Sequence, residues 1–187
     1  MISYEELYNE AKNTLSPKRF KHSEGVVKRA IEYAKIYNVD IETVKLTAIA
    51  HDIAKELTNQ ENEEYINFYK IELDEIEKLN PKLLHAKVGA CICEDKYGFN
   101  EDMVNAVKYH TTGRPNMSML EKIIYLADLT EENKAIPDLE HYVEVIKENI
   151  DNGMAECLKF SISFLLNKNS LIHLDSINCY NYYRKTN

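Results

Sequence analysis

Three tetrads of the form Ser/Thr-x-x-Glu, at Ser3–Glu6, Thr58–Glu61 and Ser118–Glu121, each stand before a segment with apolar residues at helical spacing. In such a tetrad the hydroxyl and the carboxylate satisfy free amides of a helix's first turn, so each marks a helix start. Ser16-Pro17 and Asn80-Pro81 add two more, because proline at the first helical position leaves no amide unpaired and brings a preset φ. In YGFN, Gly98 ends one helix and Asn100 begins the next. With only 5 Gly and 4 Pro in 187 residues, the many tight turns of a β-sandwich or barrel are not available. The punctuation predicts an all-α chain of roughly 9–11 helices, near 3–14, 17–38, 40–55, 59–70, 72–79, 81–97, 100–111, 117–131, 139–150, 152–168 and 171–184.

Phe20, Val27, Ile31 and Ala34 repeat at helical spacing, as do Leu120, Ile124 and Ala127, so these helices turn one stripe to a common core. Length and a 44% apolar content suit a single domain over 1–187. The acidic excess, 31 against 23 for a net charge of −8, argues against a nucleic-acid surface. No run approaches the roughly 18 uncharged residues of a membrane span, and the acidic opening segment is unlike an export signal, so a cytoplasmic location is expected. Cys91, Cys93, Cys157 and Cys179 form no CxxC pair and read as free thiols. No GxxxxGK[ST], GxGxxG or GxSxG occurs, which removes a P-loop, a dinucleotide fold and a serine hydrolase.

The informative residues are polar ones where the pattern calls for apolar ones. The stretch VKLTAIAHDIA should be buried nearly all round, yet it carries His51 and Asp52, and IIYLAD ends in Asp128 beside a core-facing stripe. A buried carboxylate must be paired, protonated or bound to a cation. His22, His85 and His110 also fall on or near apolar faces. A set of four His and two Asp suits Fe, Mn, Zn or Ni rather than Ca or Mg, and six ligands suit two metals sharing a carboxylate better than one. His141, in DLEHYVE, reads as exposed.

The order His22, His51-Asp52, Asp128 resembles the H…HD…D signature of the HD superfamily of metal-dependent phosphohydrolases. HDIAKEL (51–57), LLHAKVGA (83–90), YHTTGRPNMSMLEKIIYLAD (109–128) and IHLDSINCYN (172–181) are similar to the YqeK family over nearly the whole chain. The resemblance implies an HD-domain fold with its metal-binding core at about 17–131 and C-terminal helices at about 139–184 packing on it. It implies symmetric hydrolysis of diadenosine tetraphosphate to two ADP by a metal-activated water at a di-iron centre. One iron would be held by His22, His51, Asp52 and Asp128, the other by Asp52, His85 and His110, with Asp52 bridging. Lys134 stands where the family commonly carries Arg, and Leu174 and Ser176 stand for Pro and Thr.

The expected catalytic set is His51 and Asp52, with Lys55 and Arg114 as cations offsetting charge on the phosphoryl oxygens. Nucleotide contacts are expected from Lys55, His85, His110, Thr111, Arg114, Lys134, His173 and Ser176. Expected partners are a dinucleoside polyphosphate, ADP and, as a homodimer, a second copy of the chain. Alternative functions are an HD nucleotidase or pyrophosphohydrolase acting on a dNTP or a guanosine alarmone, and a non-catalytic metal-dependent nucleotide sensor.

Overall fold

A computed structural model describes residues 1–185. Among these are eleven α-helices and no strand: α1 (Tyr4–Thr14), α2 (Pro17–Tyr37), α3 (Ile41–Ala50), α4 (Asn59–Tyr69), α5 (Glu75–Leu79), α6 (Leu84–Tyr97), α7 (Glu101–Lys108), α8 (Met119–Thr130), α9 (Leu139–Glu148), α10 (Ile150–Asn167) and α11 (Leu174–Lys185). All three Ser/Thr-x-x-Glu tetrads are closed reciprocal caps, on α1, α4 and α8. Ser16 caps α2 ahead of Pro17, and Asn100 caps α7. Gly98 ends α6 in the left-handed region at φ 69°, where a side chain would be strained.

Three expected boundaries are corrected. The segment expected as 72–79 begins as helix only at Glu75, because Asp74 and Glu77 form a fourth capping box with an Asp in the Ser/Thr place. The helix expected from 81 opens with a short 3₁₀ turn, Pro81–Leu83, before α6 proper. The helix expected over 40–55 is α-helical only to Ala50, beyond which Ile53, Lys55 and Leu57 bond to carbonyls three residues back. Asp52 and Lys55, three residues apart, share one side of this segment, and the Lys55 amide donates to the Asp52 carbonyl.

The centre of the molecule is α3, whose Val44, Leu46, Ala48, Ile49 and Ala50 are all buried. Against it pack α2, α1 and α7, while α8 lies across α2 and α7 and carries α9 and α10 on its far side. Burial of this order is worth roughly 1.5–3 kcal/mol per large aliphatic side chain. The layout places the end of α3, the first turns of α2 and α6, the end of α7 and the last turn of α8 around one point. The four cysteines are free, and burial pushes the Cys93 and Cys157 thiols up, so neither is a thiolate. No helix among the described residues is long and apolar enough to cross a membrane.

Candidate metal centre

The imidazoles are oriented by the backbone. Nδ1 of His51 lies 2.7 Å from the Ala48 carbonyl, that of His110 2.6 Å from Val107 and that of His85 2.8 Å from Lys82, in each case three residues back. A carbonyl only accepts, so each Nδ1 is the protonated donor and each Nε2 keeps its lone pair. His22 reaches the same state by donating Nδ1–H to the Glu131 carboxylate at 3.1 Å. This is the outer support that metal-binding histidines require.

The four Nε2 atoms converge on Asp52 and Asp128. Oδ2 of Asp52 is 3.4 Å from His51 Nε2 and 3.7 Å from His22 Nε2, whereas its Oδ1 is 3.1 Å from His85 Nε2 and 3.4 Å from His110 Nε2. Asp128 Oδ1 is 3.0 Å from His22 Nε2 and 3.8 Å from His51 Nε2. The two oxygens of Asp52 thus serve two different histidine pairs, and Asp128 joins only the first. Nε2 of His85 and of His110 are 3.1 Å apart, two lone pairs facing each other. Nε2 of His22, Nε2 of His51 and Oδ1 of Asp52 are buried without a hydrogen bond. Buried orphan acceptors of this number are costly unless a cation satisfies them. The donor set, imidazole and carboxylate with no thiolate, fits divalent transition ions.

Electrostatics agree with an anionic ligand set. Burial opposes ionisation of Asp52 and Asp128, but the neighbouring His51 for the first, and Lys134 and His22 for the second, hold both well below the usual carboxylate range. Burial also opposes charging His51, yet Asp52 and Asp128 outweigh it and raise its pKa. Burial pulls His85 down to about 4, so its imidazole is neutral. Asp128, with 20% side-chain exposure, is the most open of the six, and none of the histidines exceeds 11%.

Cations ring the cluster. Lys55 Nζ is 3.1 Å from His85 Nε2, and Lys134 Nζ is 2.9 Å from Asp128 Oδ1. Arg19 Nη1 is 2.8 Å from Asp52 Oδ2, a contact the sequence reading missed. Glu131, 2% exposed, was missed as well. Arg19 stands one helical turn before His22 on α2, a signal that helical spacing offers, whereas Glu131 lies just beyond the end of α8 in extended backbone, where no such spacing applies. Gly25, one turn after His22, makes room for that carboxylate, since a Cβ there would sit 2.3 Å from Glu131 Oε2.

Other expected residues lie apart. Arg114, expected to turn back as a free phosphate clamp, instead gives its fork to Glu121 at 2.7 and 3.0 Å and lies over the Tyr109 ring. The buried Glu121 of the α8 capping box is the nearer and fixed anion, and it commits the guanidinium. His173 sits 2.6 Å from Asp74, and its Nδ1 accepts the Asp175 amide. With Thr111 it lines a cavity of about 20 Å³, room for a water and not a base, and Ser176 donates to the Thr112 carbonyl. The side-chain partners of His173 and Ser176 in this structure are Asp74, the Asp175 amide and the Thr112 carbonyl rather than the His/Asp cluster. His141 is exposed, as expected.

The HD domain family matches residues 19–133. A symmetrical bis(5'-nucleosyl)-tetraphosphatase of Halalkalibacterium halodurans is 39% identical over 168 residues, 89% of each chain. One of the same description from Bacillus subtilis is 34% identical over 91% of this chain and 92% of its own. A crystal structure of a predicted HD superfamily hydrolase involved in NAD metabolism, from Clostridium acetobutylicum, superposes with a TM-score of 0.94 at 34% identity, covering 100% of both chains. By the H…HD…D residues gathered here, and by likeness over nine-tenths of its length, the chain belongs to the HD domain family and within it to the YqeK group.

Proposed function

We propose that this protein is a metal-dependent phosphohydrolase that cleaves diadenosine tetraphosphate symmetrically into two ADP. The observation that carries the reading is the division of Asp52, one oxygen toward His22 and His51 and the other toward His85 and His110, with every Nδ1 turned away. A carboxylate divided in this way could serve two cations at once. His22, His51, Asp52 and Asp128 would hold one ion, and Asp52, His85 and His110 the other, iron being the first choice and Mn, Zn or Ni the alternatives. Bound there, such ions supply Lewis acidity and an activated water near neutral pH. The names of the relatives from Halalkalibacterium halodurans and Bacillus subtilis support the substrate.

The protein's own residues supply the remaining chemistry. Lys55, Lys134 and Arg19 stand at the rim of the cluster, where they would offset charge on the nonbridging oxygens. The ADP leaving group is a stable polyphosphate anion, so no separate general acid is required. Glu131 keeps His22 in its tautomer, and buried α3 keeps water from the inner face of the site.

The test is a product analysis. Purified protein loaded with Fe²⁺ or Mn²⁺ is incubated with diadenosine tetraphosphate, a dNTP and a guanosine tetraphosphate, and the products are separated by chromatography. ADP as the sole product of the first supports the proposal. ATP with AMP, or turnover of the others alone, replaces it with the wider nucleotidase reading. Binding without any turnover favours a sensor.

A further inference from the structure

Two clefts open beside the metal centre, and Arg19 lines both. One, about 350 Å³, is lined by Lys55, Lys82 and His85; the other, about 270 Å³, by Lys18, Lys21, His22 and Lys134. Each contains one histidine from a different side of Asp52, His85 facing Oδ1 and His22 facing Oδ2. The two clefts together hold six basic side chains, Arg19, Lys55, Lys82, Lys18, Lys21 and Lys134, against two carboxylates, Glu56 in the first and Glu131 in the second. A third cavity of similar size, about 330 Å³, is lined by Glu10, Glu56 and Glu61 against Lys96, the wrong sign for a polyphosphate.

We propose that the two clefts are the two nucleotide subsites, one for each half of the dinucleoside tetraphosphate, with Arg19 at their junction positioning the central phosphates. This rests on the substrate reading above. Each cleft is near the lower end of the roughly 300–1,000 Å³ of small-molecule pockets, suited to one nucleotide rather than two. Comparable clefts on either side of Arg19 centre a substrate with two equal arms, which brings its middle P–O–P bridge to the Asp52 divide. Water oxygen then bonds to one central phosphorus, the bridging P–O bond breaks, one ADP leaves with the bond pair, the other keeps the water oxygen, and both water protons go to solvent. Cleavage in the middle is a consequence of where the arms rest. Arg19 is held by Asp52 in this structure and, among the described residues, is the cation that lines both clefts. Its planar fork can span oxygens of two adjacent phosphates.

The test is calorimetric titration of ADP, at up to millimolar concentration, into Mn²⁺-loaded protein, alongside Lys82→Glu and the double variant Lys18→Glu, Lys21→Glu. These lysines are exposed, so reversing their charge should leave the thermal unfolding midpoint unchanged, and circular dichroism checks it. The expected result is two ADP per chain for the wild type and one for each variant, with both sites lost when the changes are combined. KM for diadenosine tetraphosphate should rise at least tenfold in each. One ADP or none per chain in the wild type, or both variants removing the same site, would overturn the two-cleft assignment even with turnover intact. Two ADP sites in a protein that never hydrolyses the tetraphosphate would instead overturn the substrate reading.

Discussion

The imidazole of His110 faces a main-chain carbonyl with one nitrogen and Asp52 with the other, and the same division of labour holds at His51 and His85. Main-chain carbonyls three residues back are part of the local fold, so the tautomers are set without further side chains. His22 alone depends on a side chain, Glu131, and this makes it the most easily disturbed ligand. Glu131→Gln should weaken affinity for the ion at the His22 side by about 10–100-fold, the usual cost of losing an outer partner, measured by Mn²⁺ titration. Gly25→Ala should produce a similar loss, because its Cβ would displace the same carboxylate from 2.3 Å; unchanged Mn²⁺ affinity in both variants would separate Glu131 from the centre. His51→Ala and Asp52→Ala should abolish turnover with helicity largely retained, since both residues follow the last α-helical residue of α3. Asp52→Ala should in addition lose both ions by elemental analysis, whereas His85→Ala should keep the one at the His22 side.

At the scale of elements, the loop 109–118 is tied to α8 by the Arg114–Glu121 pair, and Glu121 also closes the α8 cap through the Ser118 amide. Removing Arg114 leaves a fully buried carboxylate short of its strongest partner. Arg114→Ala should therefore lower stability by about 2 kcal/mol, on the scale of an unsatisfied charged group, read as a lower urea midpoint. Metal content should be unchanged, because Arg114 touches none of the proposed ligands; a loss of kcat/KM with stability intact would return it to the phosphate-clamp role. Elements that the sequence punctuates were legible to within a few residues, as at α1, α4 and α8. The break after Ala50 was not, since HDIAKEL has no Gly or Pro to mark it. Its tighter turns show only in the bonds of Ile53, Lys55 and Leu57 to carbonyls three residues back.

Over the whole molecule, buried side chains from α1 to α11 form one connected cluster. A single cooperative transition in calorimetry is the expected outcome of that continuity, and two resolved transitions would divide the chain. Ions bound only by the native state should raise the midpoint: at a free concentration of about 100 Kd the gain is about 2.7 kcal/mol. A chelated sample that melts with the Mn²⁺-loaded one would count against a site of this kind.

The helical class, most helix starts and the six His and Asp side chains that converge here could be picked out in the sequence, because capping and amphipathic spacing are local and because a polar residue in an apolar stripe contradicts its surroundings. Which cations face that centre could not. Arg19 and Arg114 are both surface-type residues in the sequence, and only the packing of α2 on α3 brings the first to Asp52 while the buried carboxylate of α8 takes the second. The same holds for Asp52 itself: its burial was written in the apolar run before it, but the assignment of each oxygen to a different histidine pair depends on four helices meeting at once, and no local rule carries that information.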